Sequence, residues 1–421
     1  MAFGAQTWKV EIAPQVAPMI YGAYIDVSNY VDIGSLGSIK IQTEQSDFSV
    51  GVAKTSSITL NLKNDTGLFS DERKSDTIFT YKRAGSKVRV SYYEGLEEAR
   101  YGSAIYGDST YGGQVSIFTG IISTESPRTD VKTDFLSLSV LGYESIFENT
   151  AFSISDVNTT QSVRFIFENI LNKPSITSLA VVSVSNFTVG VDFVLDNLDD
   201  FEDVDTVDEA LKLLLRVSNS ILVIQDDTIY ISDKEPSTEV LYSFYGQASN
   251  LGIENIQDIA NDSDGIPRTY NLWRWDPDTV EEGQPLPSPV QNTNSLDKYG
   301  LRKQIVGING ITATLERNLI LNSYLDEYGV PKQELQLTTP TTSGTVILPL
   351  LGKVDIDYPT PLIPFGGGDL PIWGTSSMVW GTFDWSYTLF NYEILQTTKF
   401  KIIGIEFKLS KDLVTFNLRE I

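Results

Sequence analysis

Runs of alternating apolar and polar residues recur through the first 150 positions. A period of two is the signature of half-buried antiparallel strands. Ile39 and Ile41 alternate with Lys40 and Gln42, and Ile58, Leu60 and Leu62 alternate with Thr59, Asn61 and Lys63. Val88, Val90 and Tyr92 follow the same rule, as do Leu136, Leu138 and Val140. Turn-forming clusters separate the runs, among them Asn64-Asp65-Thr66-Gly67 and Pro127-Arg128-Thr129-Asp130. With 20 Tyr, 20 Phe and 31 Gly, the chain has the strand formers and the punctuation that such an architecture needs.

The period changes between about 151 and 240. Thr160 is placed to cap a helix whose apolar face is Val163, Ile166, Phe167 and Ile170, with Pro174 as its stop. Thr206-Val207-Asp208-Glu209 is a capping box, opening a helix with Val207, Ala210, Leu211, Leu214 and Leu215 on one face. Two short strands follow, at 221–224 and 228–231, joined by an Asp226-Asp227 turn. From 241 strands return. The spacing of Leu315, Leu319 and Ile320 predicts one helix over 312–327, ended by Gly329 and Pro331, and 277–294 reads as a long loop. The chain is also too long, at 421 residues, for one compact core. The expected fold is mainly β with α+β insertions: a first antiparallel, tube-like β-barrel over 1–150, a small α+β domain over 151–240, and a second barrel over 241–421.

The two barrels are expected to be related, because three blocks of sequence recur in the same order. Lys87-Val88-Arg89-Val90-Ser91-Tyr92 matches Lys353-Val354-Asp355-Ile356-Asp357-Tyr358, and Phe118-Thr119-Gly120-Ile121 matches Ile402-Ile403-Gly404-Ile405. Asp134-Phe135-Leu136-Ser137-Leu138-Ser139-Val140 then matches Asp412-Leu413-Val414-Thr415-Phe416-Asn417-Leu418. Three chains, each with two copies of one barrel, would present six copies to a six-fold ring, which is a physical reason for a trimer.

An aromatic, Gly-rich insertion interrupts each copy, at 93–114 and at 359–398. The first carries Tyr101, Tyr106 and Tyr111, each followed by Gly, and the second carries Trp373, Trp380 and Trp385. Such rings serve to cover the insertion's own barrel, to contact a partner, or to stack on sugars. These six residues are the candidate partner contacts, with Tyr106 and Trp380 as the central anchors.

Two absences narrow the chemistry. Without Cys there are no disulfides, zinc-thiolate sites or thiol nucleophiles, and without His there is no Ser-His-Asp, Cys-His or HExxH arrangement. No carboxylate pair stands out among the 55 acids as a glycosidase couple, and no phosphate loop is present. The densest acid cluster is Asp192, Asp196, Asp199, Asp200, Glu202, Asp203 and Asp205; it reads as a solvated linker or as a cation site without EF-hand spacing. No catalytic residue, cofactor or metal is therefore assigned. A formal net charge of -24 argues against gripping phosphate backbones or anionic lipids and suits a channel wall that repels DNA. The N-terminus lacks signal-peptide features and no apolar run reaches 18 residues, so no stable membrane insertion is expected.

Several motifs in order resemble those of the baseplate and tail-tip hub proteins of tailed phages and related contractile injection systems, including the hub part of tail-associated lysins. They are Asp26-Val27-Ser28-Asn29-Tyr30, Asn61-Leu62-Lys63-Asn64-Asp65-Thr66-Gly67-Leu68-Phe69-Ser70, the Phe118-Thr119-Gly120-Ile121-Ile122 strand with Leu141-Gly142-Tyr143-Glu144, Ser295-Leu296-Asp297-Lys298-Tyr299-Gly300, and the closing Ile403-Gly404-Ile405 strand with the final hairpin. The resemblance implies two tube-like barrels and one or two α+β domains in a homotrimer. It implies a place in the virion, at the tail tip or baseplate, after synthesis in the host cytoplasm. A tail-tube or distal-tail ring would sit above and a tip, spike or fibre protein below, with DNA passing through without specific binding. A receptor- or glycan-binding tail adhesin is the alternative, and a cell-wall hydrolase a more distant one. The chain closes at Ile421 directly after the second barrel, so the lytic domain of tail-associated lysins is not expected.

Overall fold

The computed structural model describes residues 8–421 apart from 44–52, 56, 71–74, 94–113, 124–127, 131–134, 158–160, 187–189, 191, 196–197, 226, 234–238, 246–255, 264–265, 281–282 and 358–398. The first region supplies ten strands: β1 (Trp8–Ala17), β2 (Ile20–Tyr21), β3 (Ile25–Asp26), β4 (Ser38–Gln42), β5 (Lys54–Thr55), β6 (Ile58–Lys63), β7 (Lys82–Tyr93), β8 (Gln114–Ile122), β9 (Arg128–Asp130) and β10 (Phe135–Gly142). Eight of them form one curled sheet in the order β2-β1-β7-β8-β10-β6, with β3 on β1 and β9 on β10. The alternation is realised as read: Ile58, Leu60 and Leu62 are buried in β6, and Leu136, Leu138 and Val140 in β10.

β4 and β5 do not belong to that sheet. β4 lies antiparallel on a strand near the end of the chain, with Ile39 opposite Phe407 and Ile41 opposite Ile405, and β5 pairs with β4. The period of two in Ile39 and Ile41 specifies an apolar face, and the second sheet satisfies that face as well as the first would have.

The middle of the chain holds α1 (Ser145–Glu148), α2 (Val163–Leu171), α3 (Pro174–Thr177), β11 (Val181–Asn186), α4 (Asp199–Glu202), α5 (Val207–Ser218), β12 (Ser220–Gln225) and β13 (Thr228–Asp233). The strands form a three-stranded sheet, β11-β13-β12. The Thr206/Glu209 capping box opens α5, and Asn219 in the left-handed region (φ 48) closes it. Ser162, not Thr160, is the N-cap of α2; Thr160 lies outside the described residues. Pro174 does not stop α2, which ends at Leu171; it opens α3 instead, at the first-turn position where a missing N–H costs nothing.

The rest of the chain comprises β14 (Tyr242–Tyr245), β15 (Asp258–Ser263), β16 (Leu272–Trp275), β17 (Val290–Gln291), α6 (Thr293–Tyr299), β18 (Lys303–Val306), α7 (Thr314–Tyr328), β19 (Glu334–Pro340), α8 (Ser343–Val346), β20 (Lys353–Asp357), β21 (Lys399–Lys408) and β22 (Leu413–Glu420). The second eight-stranded sheet has the order β14-β20-β21-β22-β19-β15, completed by β4 and β5. The order β7-β8-β10-β6 in the first sheet recurs as β20-β21-β22-β19 in the second. The two curled sheets are therefore related, as the sequence repeat implied. The repeat misses the register of its middle block. Lys87 faces Ile121 in the first sheet; the matched blocks would put Ile405 opposite Lys353, but Lys401 stands there, four residues earlier. The room left along β21 is taken by β4, which pairs with it from Gly404 to Lys408.

β17, β16 and β18 form a further three-stranded sheet beside α7. The segment 277–294 thus contains a short strand and the start of α6 rather than one long loop. Two hydrophobic cores result, and each joins distant parts of the chain. One unites both curled sheets, from Val10, Val88 and Leu138 to Phe244, Phe400 and Phe416. The other unites the two small sheets and their helices, from Phe167, Leu211 and Leu214 to Trp273, Ile320 and Tyr324. Trp273 stacks on Tyr324 with ring centroids 4.9 Å apart. Among the described residues no helix is long and apolar enough to cross a membrane.

Candidate functional site

Tyr101, Tyr106, Tyr111, Trp373, Trp380 and Trp385 lie outside the described residues, within 94–113 and 358–398. Their roots are described. The first insertion leaves β7 after Tyr93 and returns at Gln114, two residues that face each other across the β7–β8 pair. The second leaves β20 after Asp357 and returns at Lys399, which faces Asp355. Both insertions therefore hang from the same hairpin of the two related sheets.

A charged network starts at the first root. Gln114 Nε2 donates to Glu11 Oε2 at 2.6 Å and to Ser91 Oγ at 2.9 Å. Arg89 Nε and Nη2 donate to the same Glu11 oxygen at 3.0 and 2.8 Å, and Lys9 Nζ lies 2.7 Å from Glu11 Oε1. Burial by itself would raise the Glu11 carboxyl; the bonds from Lys9, Gln114 and Arg89 outweigh it and hold the pKa below the usual carboxylate range. The Arg89 guanidinium sits 4.0 Å over the Tyr24 ring, and the Tyr24 hydroxyl donates to Asp227 Oδ2 at 3.3 Å. Burial, helped by the Asp227 charge, pushes Tyr24 up to about 12. Lys87 Nζ donates to the Leu179 carbonyl at 2.8 Å and lies 4.5 Å over the Tyr21 ring, with its pKa lowered by burial. The network thus runs from the insertion root across β1 and β7 to the β12–β13 turn.

The second root has a counterpart of different composition. Lys401, two residues inside the root, donates to both carboxylate oxygens of Glu327 on α7 at 2.8 and 2.7 Å. Arg419 Nη1 lies 3.1 Å and Lys332 Nζ 3.7 Å from the same carboxylate. Burial opposes ionisation of Glu327, yet Lys401, Arg419 and Lys332 hold its pKa down to about 2. Arg268 donates to Glu334 at 2.7 and 2.9 Å beside it. Each insertion is rooted where its sheet is clamped by charge to an α+β unit. The second clamp is the drier one: separating Lys401 from Glu327 strands a buried charge, so the pair holds its position well.

None of these clamp residues was identified from the sequence. Lys87 and Arg89, like Lys399 and Lys401, occupy the polar positions of an alternating strand, a pattern that reads as a solvent face. The α+β units cover part of that face, burying Lys401 and half-burying Lys87 and Arg89, while Lys399 stays exposed. Of the acid cluster, Asp196 lies outside the described residues. Asp199, Asp200 and Glu202 fall on α4, whose Phe201 packs on Phe152 at 6.0 Å. Among the described residues no three carboxylates converge as a metal site would need.

No protein-family model matches this chain, and no curated protein matches it in sequence. Solved structures do match. The 43 kDa tail protein of prophage MuSo2 from Shewanella oneidensis aligns with a TM-score of 0.53 at 11% identity, covering 98% of each chain. The tail protein from Neisseria meningitidis MC58 aligns with a TM-score of 0.56 at 14% identity, covering 98% of this chain and 96% of that one. At such identities the likeness speaks for the fold. Over nearly its whole length, this chain shares the two-barrel fold of phage tail proteins.

Proposed function

We propose that this chain is a structural hub of a phage tail tip or baseplate, in which three copies form a pseudo-hexameric ring that joins the tail tube to the tip and lines the DNA channel. The carrying observation is the pair of curled sheets with the same strand order inside one shared core. A rigid pair of related sheets repeats its contacts every sixth of a turn when three chains close into a ring, so one chain can meet a six-fold neighbour on one side and a three-fold one on the other. The tail proteins of similar fold from Shewanella oneidensis and Neisseria meningitidis support a place in the virion. The net charge of -24 supports a wall that repels DNA and lets it pass without binding. The two clamped roots support insertions that dock neighbours along the tail axis from a fixed position. The role is structural and includes no reaction.

Native mass measurement of the purified protein, and imaging of the particle, test this reading. Three copies per ring are expected, with acidic and polar side chains facing the lumen. A stable monomer at high concentration, together with six copies per tail, overturns it. So does tight, salt-sensitive DNA binding.

A further inference from the structure

From Ile12 to Ile25 the sequence contains no charged residue, in a chain that is 20% charged and carries a net -24. The same segment places four apolar side chains in solvent: Val16 at 44%, Met19 at 50%, Ile20 at 58% and Ile25 at 40% exposure. Val16, Met19 and Ile20 gather where β1 turns back into β2, the terminal strand of the first curled sheet; Ile25 lies further along the same edge, on β3 opposite Ile12. Exposed apolar residues scattered singly mean little, but a group of them on one sheet edge marks a contact surface.

Two local features keep these side chains outward. The β1–β2 register shifts between Gln15 and Ala17, so Val16 sits in a bulge, which turns its side chain away from the regular pleat. Met19 occupies the turn at φ 59, in the left-handed region where Gly or Asn is preferred. The turn therefore shows a long apolar side chain at a backbone position that disfavours one.

The position is equally specific. β1 runs antiparallel to β7, with Trp8 opposite Tyr92 and Gln15 opposite Lys82. The aromatic insertion leaves β7 after Tyr93, so the apolar turn lies at the other end of the same strand pair. The surface is thus separate from the insertion roots.

We infer that this sheet edge, through Val16, Met19 and Ile20 of the β1–β2 turn and Ile25 of β3, is a contact with a second copy of this chain. Two copies that each carry -24 repel over most of their surface, and a like-charged pair closes where neither side brings an unpaired charge. A fourteen-residue stretch without charge, ending a sheet and rich in exposed apolar atoms, is such ground. A partner of opposite charge would have no need of it. This inference rests on the trimeric reading above and names one surface that holds the trimer.

The test uses the full chain with Ile20→Lys, measured by sedimentation velocity over a concentration series beside the parent. The expected result is a trimer for the parent and, for the variant, dissociation at concentrations at least tenfold higher, with an unchanged far-ultraviolet circular dichroism spectrum. A trimeric variant with the parent's concentration dependence overturns the surface assignment while leaving the trimer intact. A monomeric parent overturns the trimeric reading itself, and this inference with it. If Ile20→Lys does not fold, Met19→Cys decides the matter, since the chain has no other cysteine. Its labelling by a maleimide is expected to be at least tenfold slower in the trimer than after dilution to monomer. Equal rates overturn the inference.

Discussion

Trp8 Nε1 donates a 2.9 Å hydrogen bond to Asp412 Oδ1, joining the first strand of one curled sheet to the last turn of the other across 404 positions of sequence. Asp412 holds the left-handed region at φ 51, just before β22. The bond lies beside the shared core, where the Trp8 ring meets Tyr92 edge-on at 5.3 Å. It ties the two sheets together, as β4 does.

Trp8→Phe keeps an aromatic ring against Tyr92 and removes the N–H donor. Asp412, which is exposed, then turns to water, so the lost bond costs about 0.5–1.5 kcal/mol. Urea denaturation is expected to show one cooperative transition in parent and variant, with the midpoint lowered. An unchanged midpoint would show that the bond contributes nothing.

Ile39→Ala tests β4. Ile39 is fully buried, and its truncation leaves a cavity costing about 2–5 kcal/mol. The loss should appear far along the chain. Amide exchange in β21 from Gly404 to Lys408, where β4 pairs, is expected to quicken more than exchange in β6 or β10. Faster exchange confined to the first sheet would contradict the strand placement.

Glu327→Gln removes the carboxylate that neutralises the buried Lys401, at a cost of about 3–5 kcal/mol for the cation left without its partner. The pH dependence has a definite sign. Because the folded pKa is held near 2, below the ordinary 4.5, the carboxylate's contribution is fully present above 4.5. It is lost as the pH falls from there towards 2. The parent is expected to lose urea resistance between pH 5 and pH 3 more steeply than the variant. Parallel pH profiles would refute the clamp.

Tyr106→Ala combined with Trp380→Ala addresses the insertions. With both charge clamps intact, melting of the purified double variant is expected to match the parent, while tail completion fails. Unfolding of the variant would assign the rings to the core, and normal tails would remove any contact role.

Local chemistry was legible in the residues themselves. The alternation of Leu136, Leu138 and Val140 specified a strand with one buried face, and the Thr206/Glu209 pair specified where α5 begins. The helix expected over 312–327 runs from Thr314 to Tyr328. The ordered blocks disclosed two related sheets, because strands that occupy equivalent places keep similar patterns. These signals are short-range: each depends on neighbours within a turn of helix or along one strand.

What remained hidden depends on contacts between distant segments. Alternation states which side chains face a core, but an edge of β21 accepts β4 by backbone hydrogen bonds that carry no sequence label. Polar positions on β7 and β21 looked solvated, since a strand cannot announce that an α+β unit will cover its other face. The repeat fixed strand order and missed register by four residues, because a slip by an even number leaves every side chain on its own face. Only the folded chain decided among such registers, through the packing of its two cores and the pairing of buried charges such as Lys401 with Glu327.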